Sequence, residues 1–211
     1  MIEIKNLSYQ FAQGKAIAFP DFVLEKGGHM LILGKSGVGK TTLLHLLALI
    51  LTPKTGSLFI HSEEINKLSE AKLVKFRAKT IGTVYQKPHF VAALSVYENI
   101  QLASYLSDNQ LNIKYLNDLA DSLGLTNLLN KKVSRLSLGE QQRVSIARAL
   151  INNPAIILAD EPTSNLDDEN CRNVVELLQK QSNKIGACLI IVTHDQRLKS
   201  VFENQITLLS S

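Results

Sequence analysis

The stretch HMLILGKSGVGKTTLLHLLALIL, residues 29–51, decides the fold. It opens with a short apolar run that predicts a buried strand, passes through a glycine-rich turn and closes in a helical pattern. Four positions, Gly34, Gly39, Lys40 and Thr41, fit the spacing G-x-x-x-x-G-K-[ST]. In such a loop the backbone N–H groups and the helix N-terminus converge on phosphate oxygens. We therefore predict a nucleotide-binding loop formed by Gly34, Lys35, Ser36, Gly37, Val38, Gly39, Lys40, Thr41 and Thr42.

Three side chains of this loop have separate predicted roles. The Lys40 ammonium is a point charge for the β- and γ-phosphates, and the Thr41 hydroxyl is a candidate ligand of Mg²⁺. Thr42 is placed to contact the α-phosphate. The alternative is a flexible glycine turn that binds nothing, but the strand–loop–helix context favours nucleotide binding. The pattern alone does not separate an ATPase from a GTPase or a kinase.

Polar residues also end three other apolar runs. Asp160 and Glu161 end AIILADE, Gln86 ends TVYQ, and His194 ends LIIVTH. Because ligands of open α/β sheets bind at the carboxyl ends of the strands, we expect these side chains to share one edge. Asp160 would hold Mg²⁺, and Glu161 would activate an attacking water as a general base. The Gln86 amide would coordinate the same Mg²⁺ and orient the water, and a His194 N–H would bond the γ-phosphate. The alternatives are an ordinary acidic turn and a structural histidine.

The alternation of apolar runs and helical patterns predicts an α/β fold. The inner runs are continuously apolar, which is typical of parallel strands covered by helices on both faces. The first part of the chain, with IEIKNLSYQF and AIAFPDFVLEKGG, reads as two antiparallel strands. We therefore predict a mixed, mainly parallel sheet with an antiparallel N-terminal portion. Residues 94–132 are polar and helical in pattern, which predicts a helical insert.

Composition narrows the class of protein. The chain has 211 residues, of which 45% are hydrophobic, enough for a packed core. Its net charge of +4 is too weak to indicate nucleic acid, and the basic cluster at residues 72–79 is expected to be a solvated helix face. Two cysteines without a CxxC pair argue against a disulfide framework and fit a reducing compartment. No apolar run approaches the roughly 20 residues of a membrane span, and no leader follows Met1, so we expect a soluble, cytoplasmic chain.

Taken in order, these motifs resemble those of the ATP-binding cassette (ABC) ATPases, the nucleotide-hydrolysing subunits of ABC transporters. Phe11 stands where the family has an adenine-stacking aromatic residue, GKSGVGKTT is similar to the Walker A loop, and Gln86 is similar to the Q-loop glutamine. The stretch LSLGEQQRVSIARAL, residues 136–150, resembles the family signature. IILADE resembles the Walker B strand with its catalytic glutamate, SNLD at 164–167 resembles the D-loop, and His194 resembles the switch histidine.

The resemblance implies a P-loop NTPase fold of ABC type in a single domain, residues 1–211, with a RecA-like core at about 1–86 and 152–211 and a helical subdomain at about 87–151. It implies that two copies pack head to tail and that each ATP, bound with Mg²⁺, contacts the signature of the other copy. Closure would drive a transmembrane permease, which would hold the chain at the inner face of the cell membrane. The signature residues implied to contact ATP are Ser137, Gly139 and Glu140.

Two residues depart from the usual signature. Leu138 replaces a glycine and Glu140 replaces a glutamine. Ser137 followed by Glu140 also fits a capping box, which predicts a helix start of fixed geometry. The two interpretations are compatible, because a capped helix N-terminus is itself a phosphate site. If Glu140 caps the helix, its carboxylate turns back toward Ser137; otherwise it adds negative charge close to a triphosphate.

The remaining patterns concern the subgroup, the partner and the alternatives. ADEPTSNLD, SVYENI and the short single cassette resemble the group that serves lipoprotein release, macrolide-type export and cell-division complexes. The stretch KPHFVAALSVYENI, residues 87–100, either receives a short partner helix or packs in the core.

The alternative function is a soluble ABC ATPase acting on nucleic acid or ribosomes, which the modest charge disfavours, so we expect no nucleic-acid partner. A nucleotide kinase or GTPase would leave LSLGEQQR and His194 unused.

Overall fold

The apolar run before the glycine-rich loop forms an interior strand of a parallel sheet. The computed structural model describes residues 1–12, 15–107, 109–164 and 166–209. In spatial order the sheet contains β10 (Asn204–Thr207), β4 (His29–Leu33), β9 (Cys188–Thr193), β8 (Ile156–Asp160) and β7 (Ile81–Val84). Every pairing in it is parallel. Every residue of β8 and β9 is buried, as their continuous apolar sequences predict.

The N-terminal strands form a second, antiparallel sheet. It contains β1 (Ile2–Tyr9), β2 (Ile17–Ala18), β3 (Phe22–Leu24), β5 (Thr55–Ile60) and β6 (Glu63–Glu64). Its described pairings are all antiparallel. The predicted antiparallel portion and parallel core are therefore both present, and they lie in two separate sheets.

The single strand predicted in AIAFPDFVLEKGG is divided into β2 and β3. Pro20 lies between them, and a proline has no N–H to give to a strand ladder. Both pieces pair with β1, β2 at its end and β3 at its start. Between them the Asn6 N–H donates to the Asp21 carboxylate at 2.6 Å. This side-chain contact replaces a ladder bond where the chain turns.

Six α-helices accompany the sheets in the described residues. The helix predicted up to Leu51 ends at Leu47, because Leu49 has a positive φ of 56° and the following N–H groups bond the His45 carbonyl. Ser69 occupies the N-cap position of the second helix but makes no capping bond. The helices are α1 (Lys40–Leu47), α2 (Glu70–Thr80), α3 (Val96–Leu106), α4 (Ile113–Ser122), α5 (Leu138–Leu150) and α6 (Asp168–Ile185).

The parallel sheet separates two apolar clusters, as the alternation of side chains along its strands requires. Leu31 and Leu33 face a cluster that includes residues of α3, α4, α5 and α6. Met30 and Ile32 face a cluster formed with α1 and the antiparallel sheet. The helices of the predicted subdomain at 87–151 therefore share one continuous core with the sheet, and the division at those boundaries stays a prediction. No helix among the described residues has the length and apolar content needed to cross a bilayer.

Candidate nucleotide site

The glycine-rich loop leads from β4 into α1 with the backbone bends that the spacing predicts. Gly37 and Gly39 have φ values of 84° and 100°, a region that favours glycine, and Gly39 is the N-cap of α1. A Cβ on Gly34 would lie 2.7 Å from Val38. The loop is closely packed at its start, and α1 therefore presents its free N–H groups at a fixed place.

Lys40 lies across this loop with its charge nearly buried. Its Nζ donates to the carbonyls of Gly34 at 2.9 Å and Lys35 at 3.0 Å. The same ammonium is 3.5 Å from a Glu161 carboxylate oxygen, and its side chain is 7% exposed. A buried cation with one carboxylate neighbour is suited to hold a polyanion, since phosphate oxygens would supply further charge-assisted bonds.

Thr41 and Asp160 face each other across the gap between α1 and the end of β8. The Thr41 hydroxyl is 3.4 and 3.5 Å from the two Asp160 carboxylate oxygens. Burial and, next, the neighbouring Glu161 raise the pKa of Asp160. A bound cation would favour the ionised carboxylate and so oppose this rise of the Asp160 pKa. A hydroxyl with a carboxylate is also an oxygen donor set that suits Mg²⁺. The described residues contain no cluster of three or more His, Cys, Asp or Glu able to hold a metal, so Mg²⁺ here would also need phosphate oxygens.

Glu161 is the most constrained acidic side chain of the site. Its backbone has a φ of 47°, and its carboxylate accepts bonds from the Thr193 hydroxyl at 2.7 Å and the His194 N–H at 3.3 Å. The His194 Nδ1 is 3.0 Å from both carboxylate oxygens. Burial raises the pKa of Glu161, but the hydrogen bonds from His194 and Thr193 together outweigh it and lower the pKa. The carboxylate is therefore ionised at neutral pH and able to accept a proton.

The predicted strand-end residues meet around one cleft of about 480 Å³. His194 is 63% exposed and opens onto it, and Gln86 donates from Nε2 to the Ser164 hydroxyl at 3.2 Å. Phe11 is half exposed at the rim, with its ring edge-on to Tyr9 at a centroid distance of 4.9 Å. The residues that line the cleft are Phe11, Ile17, Ser36, Gly37, Gly39, Lys40, Thr41, Thr42, Gln86, Glu161 and His194.

Several predicted residues lie outside this lining. Gly34, Lys35 and Val38 line a second cavity of about 300 Å³. Asp160 is buried beneath the cleft with 8% of its surface exposed. Its contact with Thr41 brings it within reach of a bound cation, although its own surface does not line the cleft.

The signature residues do not line their own chain's cleft. The Ser137 N–H donates to the Glu140 carboxylate at 2.7 Å and the Glu140 N–H donates to the Ser137 hydroxyl at 3.3 Å, which is the predicted capping box. These bonds from Ser137 lower the pKa of Glu140. Gly139 is exposed and Leu138 is 83% exposed. The start of α5 is therefore an ordered helix N-terminus that faces outward.

Two residues of the site, Thr193 and Ile17, were not predicted from the sequence, and Ser164 was predicted only as part of the D-loop. Thr193 orients Glu161, Ser164 holds Gln86, and Ile17 forms part of the cleft wall. For Thr193 and Ile17 the one signal was the hydroxyl residue that ends the apolar run LIIVT. Of the predicted D-loop, Asn165 lies outside the described residues, and the Asp167 carboxylate caps α6 by accepting the Asn170 N–H at 2.8 Å.

Known proteins are similar to this sequence along almost its whole length. Residues 20–164 match the family model described as ABC transporter. The lipoprotein-releasing system ATP-binding protein LolD of Shewanella frigidimarina is 32% identical over 99% of this chain and 90% of LolD. The uncharacterized ABC transporter ATP-binding protein MJ1508 of Methanocaldococcus jannaschii is 41% identical over 94% of this chain and 91% of that protein.

A solved structure shares the fold. The ABC transporter cassette MJ0796, in a dimeric post-hydrolysis state bound to ADP and phosphate, has a TM-score of 0.84 at 32% identity and matches 99% of this chain and 94% of its own. These relatives support a transporter ATPase and give no support to the nucleic-acid alternative. The chain belongs to the ABC transporter family, in which it is an ATP-binding and ATP-hydrolysing cassette.

Proposed function

We propose that this cassette hydrolyses ATP in the cleft beside the glycine-rich loop, with Glu161 as the general base. The observation that carries the proposal is the Glu161 carboxylate, which lies at the cleft with a lowered pKa and is fixed by Thr193 and His194. An ionised, oriented carboxylate can take a proton from a water that attacks the γ-phosphate. Such a base accelerates a reaction by about 10²–10⁴-fold.

The other side chains of the cleft bind and orient the nucleotide. The N–H groups at the start of α1 and the Lys40 ammonium bind the β- and γ-phosphates, and Phe11 stacks on the adenine. Thr41 and Asp160, with Gln86 as a further ligand, would hold Mg²⁺, which would neutralise phosphate charge. A His194 ring whose Nδ1–H donates to Glu161 can also donate its Nε2–H to the γ-phosphate, provided that it carries both protons.

Glu161→Gln tests the assignment of the base. The variant keeps the shape of the side chain and loses the proton acceptor, so we expect it to bind ATP and to hydrolyse it at least about 10²-fold more slowly. Glu169→Gln is the matched control, because Glu169 is an exposed acid in the first turn of α6. Hydrolysis at the wild-type rate by Glu161→Gln would remove Glu161 from this role.

We propose further that two copies assemble head to tail on ATP. Support comes from the exposed signature, which lies outside its own chain's cleft, and from the dimeric state of MJ0796. Ser137 and the Gly139 backbone of one copy would then bond the γ-phosphate held by the other, with the Glu140 side chain beside them. Light scattering after gel filtration should show that Glu161→Gln is a monomer alone and a dimer with ATP and Mg²⁺. A dimer of equal stability without nucleotide would contradict this assembly.

The partner that this cycle drives is, in our proposal, a membrane permease that holds the chain at the inner face of the cell membrane. LolD belongs to a lipoprotein-releasing system, and the macrolide export ATP-binding/permease protein MacB of Bdellovibrio bacteriovorus is 36% identical over a segment that is 31% of its length. We infer the same subgroup for this chain. Co-purification from membranes in mild detergent, followed by identification of the bound protein, tests the partner.

A groove of about 470 Å³ offers a place for a short helix of such a partner. It lies between α2, β7, α3 and α5 and includes apolar and aromatic residues such as Ile50, Tyr85 and Leu106. The predicted contact stretch at 87–100 contributes less than expected, because its Val96 and Ile100 are buried in the core. The groove beside that stretch is therefore the better candidate surface.

A further inference from the structure

Asp195 is the centre of a polar network that lies beside the cleft. Its carboxylate accepts bonds from the Thr163 hydroxyl at 2.9 Å and from the Arg197 Nε and Nη2 at 2.9 and 2.7 Å. The Cys171 thiol lies 3.7 Å from the same carboxylate. The Asp195 side chain is 11% exposed, and the hydrogen bonds from Arg197 lower its pKa in spite of its burial. Asp195 is therefore ionised and fixed in position.

Arg197 extends this network to a second segment of the chain. Its Nη1 and Nη2 donate to the Leu166 carbonyl at 3.3 and 3.2 Å, and Nη1 also donates to the Asp168 carboxylate at 2.6 Å. A guanidinium is planar and rigid, so bonds made at once to Asp195 and Leu166 fix the two partners relative to each other. Arg197 thus joins residues 163–168 to residues 193–197.

Each of these two segments carries a contact of the proposed site. His194, in the second segment, places its Nδ1 3.0 Å from the Glu161 carboxylate. Ser164, in the first segment, accepts the Gln86 amide at 3.2 Å. The network joins them, since Thr163 bonds the residue that follows His194.

We propose that Asp195 and Arg197 are positioning residues for two side chains that line the cleft together with Glu161. Those side chains are His194 and Gln86, and the network holds the segment behind each of them. The inference rests on the proposed function of the cleft. It predicts that loss of the Arg197 guanidinium slows the chemical step and leaves nucleotide binding intact.

The contacts of Arg197 differ in the effect expected of each. Asp168 is 78% exposed, and exposed ion pairs contribute little to stability. Removal of the Asp168 carboxylate should therefore hardly change ATP hydrolysis. Asp195 is mostly buried and bonds the guanidinium with two oxygens, which is the stronger arrangement. Asp195 also accepts the Arg197 N–H at 3.0 Å and so caps the 3-10 helix Gln196–Ser200. A role limited to this cap would lower stability without a separate effect on catalysis.

The experiment is steady-state ATP hydrolysis by the full chain carrying Arg197→Ala. We expect kcat to fall about tenfold or more with KM for ATP within about twofold of wild type, because misplaced groups affect the reaction more than the bound nucleotide. Lys199→Ala is the matched control, since it removes a charge from the same 3-10 helix at an exposed position, and it should behave as wild type. Arg197→Lys keeps the charge and part of the contact, and should recover part of kcat.

Amide hydrogen exchange supplies a readout that is independent of turnover. In resting Arg197→Ala, exchange should rise in both 163–168 and 193–197 and stay unchanged in β4 and β8, because the network is local. A rise confined to 196–200 would indicate a capping role alone and overturn the inference. A folded Arg197→Ala with wild-type kcat, or with a raised KM and unchanged kcat, would overturn it as well.

Two further variants keep the inference testable if Arg197→Ala does not fold. Kinetic measurements are then made on Arg197→Lys and Asp195→Asn: reduced kcat at wild-type KM supports the inference, and wild-type kcat overturns it.

Failure of this inference is also distinct from failure of the proposed function. Hydrolysis by Glu161→Gln at the wild-type rate removes the proposed base, whereas an inactive Glu161→Gln beside a fully active Arg197→Ala removes only the positioning role.

Discussion

Replacement of Thr193 by valine should destabilise the protein in a way that depends on pH. Thr193 is fully buried, and its hydroxyl donates to the Glu161 carboxylate at 2.7 Å and accepts the Asp195 N–H at 3.0 Å. Valine fills the same volume without either bond. A hydrogen bond to a charged group contributes about 1.5–3 kcal/mol to the free energy of unfolding. For a chain of this size a loss of about 2 kcal/mol lowers Tm by roughly 4–8 °C.

The pH dependence follows from the direction of the Glu161 pKa shift. The net pKa of Glu161 is lowered, since its hydrogen bonds outweigh the effect of burial. A group with a lowered folded-state pKa stabilises the protein above its unfolded pKa of about 4.3, and this stabilisation is lost as the pH falls through the folded pKa. In Thr193→Val one of these hydrogen bonds is missing, so the pKa of Glu161 rises toward its ordinary value. The Tm difference from wild type should be largest at pH 7 and should shrink below about pH 5.

Thermal unfolding by circular dichroism at pH 7 and about pH 3 measures both effects. Thr193→Ser is the control, because it keeps the hydroxyl and should stay close to wild type at both pH values. An equal Tm difference between Thr193→Val and wild type at the two pH values would refute the reasoning. It would mean that the hydroxyl stabilises the fold through a partner other than the ionised Glu161.

Two other predictions concern packing and the adenine. A Cβ on Gly82 would lie 2.2 Å from the Ala149 carbonyl oxygen, so Gly82→Ala should cost about 3 kcal/mol by forcing α5 away from β7. Gly139→Ala meets one side-chain atom at 3.9 Å and lies in α5, so it should be at least as stable in urea as wild type. The chain contains no tryptophan, so Phe11→Trp places a single tryptophan at the cleft rim, and its fluorescence should change on ATP binding. The fluorescence of Tyr105→Trp, on an exposed part of α3, should not change. Equal urea midpoints for the two glycine variants would contradict the packing prediction. Unchanged fluorescence of Phe11→Trp at saturating ATP would contradict the prediction for the adenine.

The elements predicted best from the sequence are those whose signal is local. The strand, loop and helix at 29–47 follow from an apolar run, glycines at defined spacing and a helical pattern, and all three are present. The capping box at the start of α5 is likewise contained within four residues. What could not be read locally was the separation of the strands into two sheets, because pairing is decided by residues far apart in the chain. The division of one strand at Pro20 had a local signal, since a missing N–H interrupts a ladder.

The same distinction applies to the site. The motif spacing predicts which residue types approach the phosphates, and the cleft brings Lys40, Glu161 and His194 together. It does not predict what holds them there. The hydroxyl of Thr193 reaches a carboxylate 32 positions away, and Arg197 joins segments about 30 residues apart. Such bonds depend on the order of strands in the sheet and on side-chain direction, and a sequence pattern predicts neither of these.

The capped start of α5 has a consequence for the rate at which two copies join. Ordering the backbone of one residue costs about 1–2 kcal/mol in lost conformational entropy. In this chain the turn at 137–140 is already held by two reciprocal hydrogen bonds in a single copy. In the proposed head-to-tail dimer, a phosphate bound to the opposite copy would therefore meet N–H groups whose directions are set in advance, and the encounter would include no local folding step. The stretch at 137–140 is preorganised, so we expect diffusion and charge to govern the rate at which two copies join.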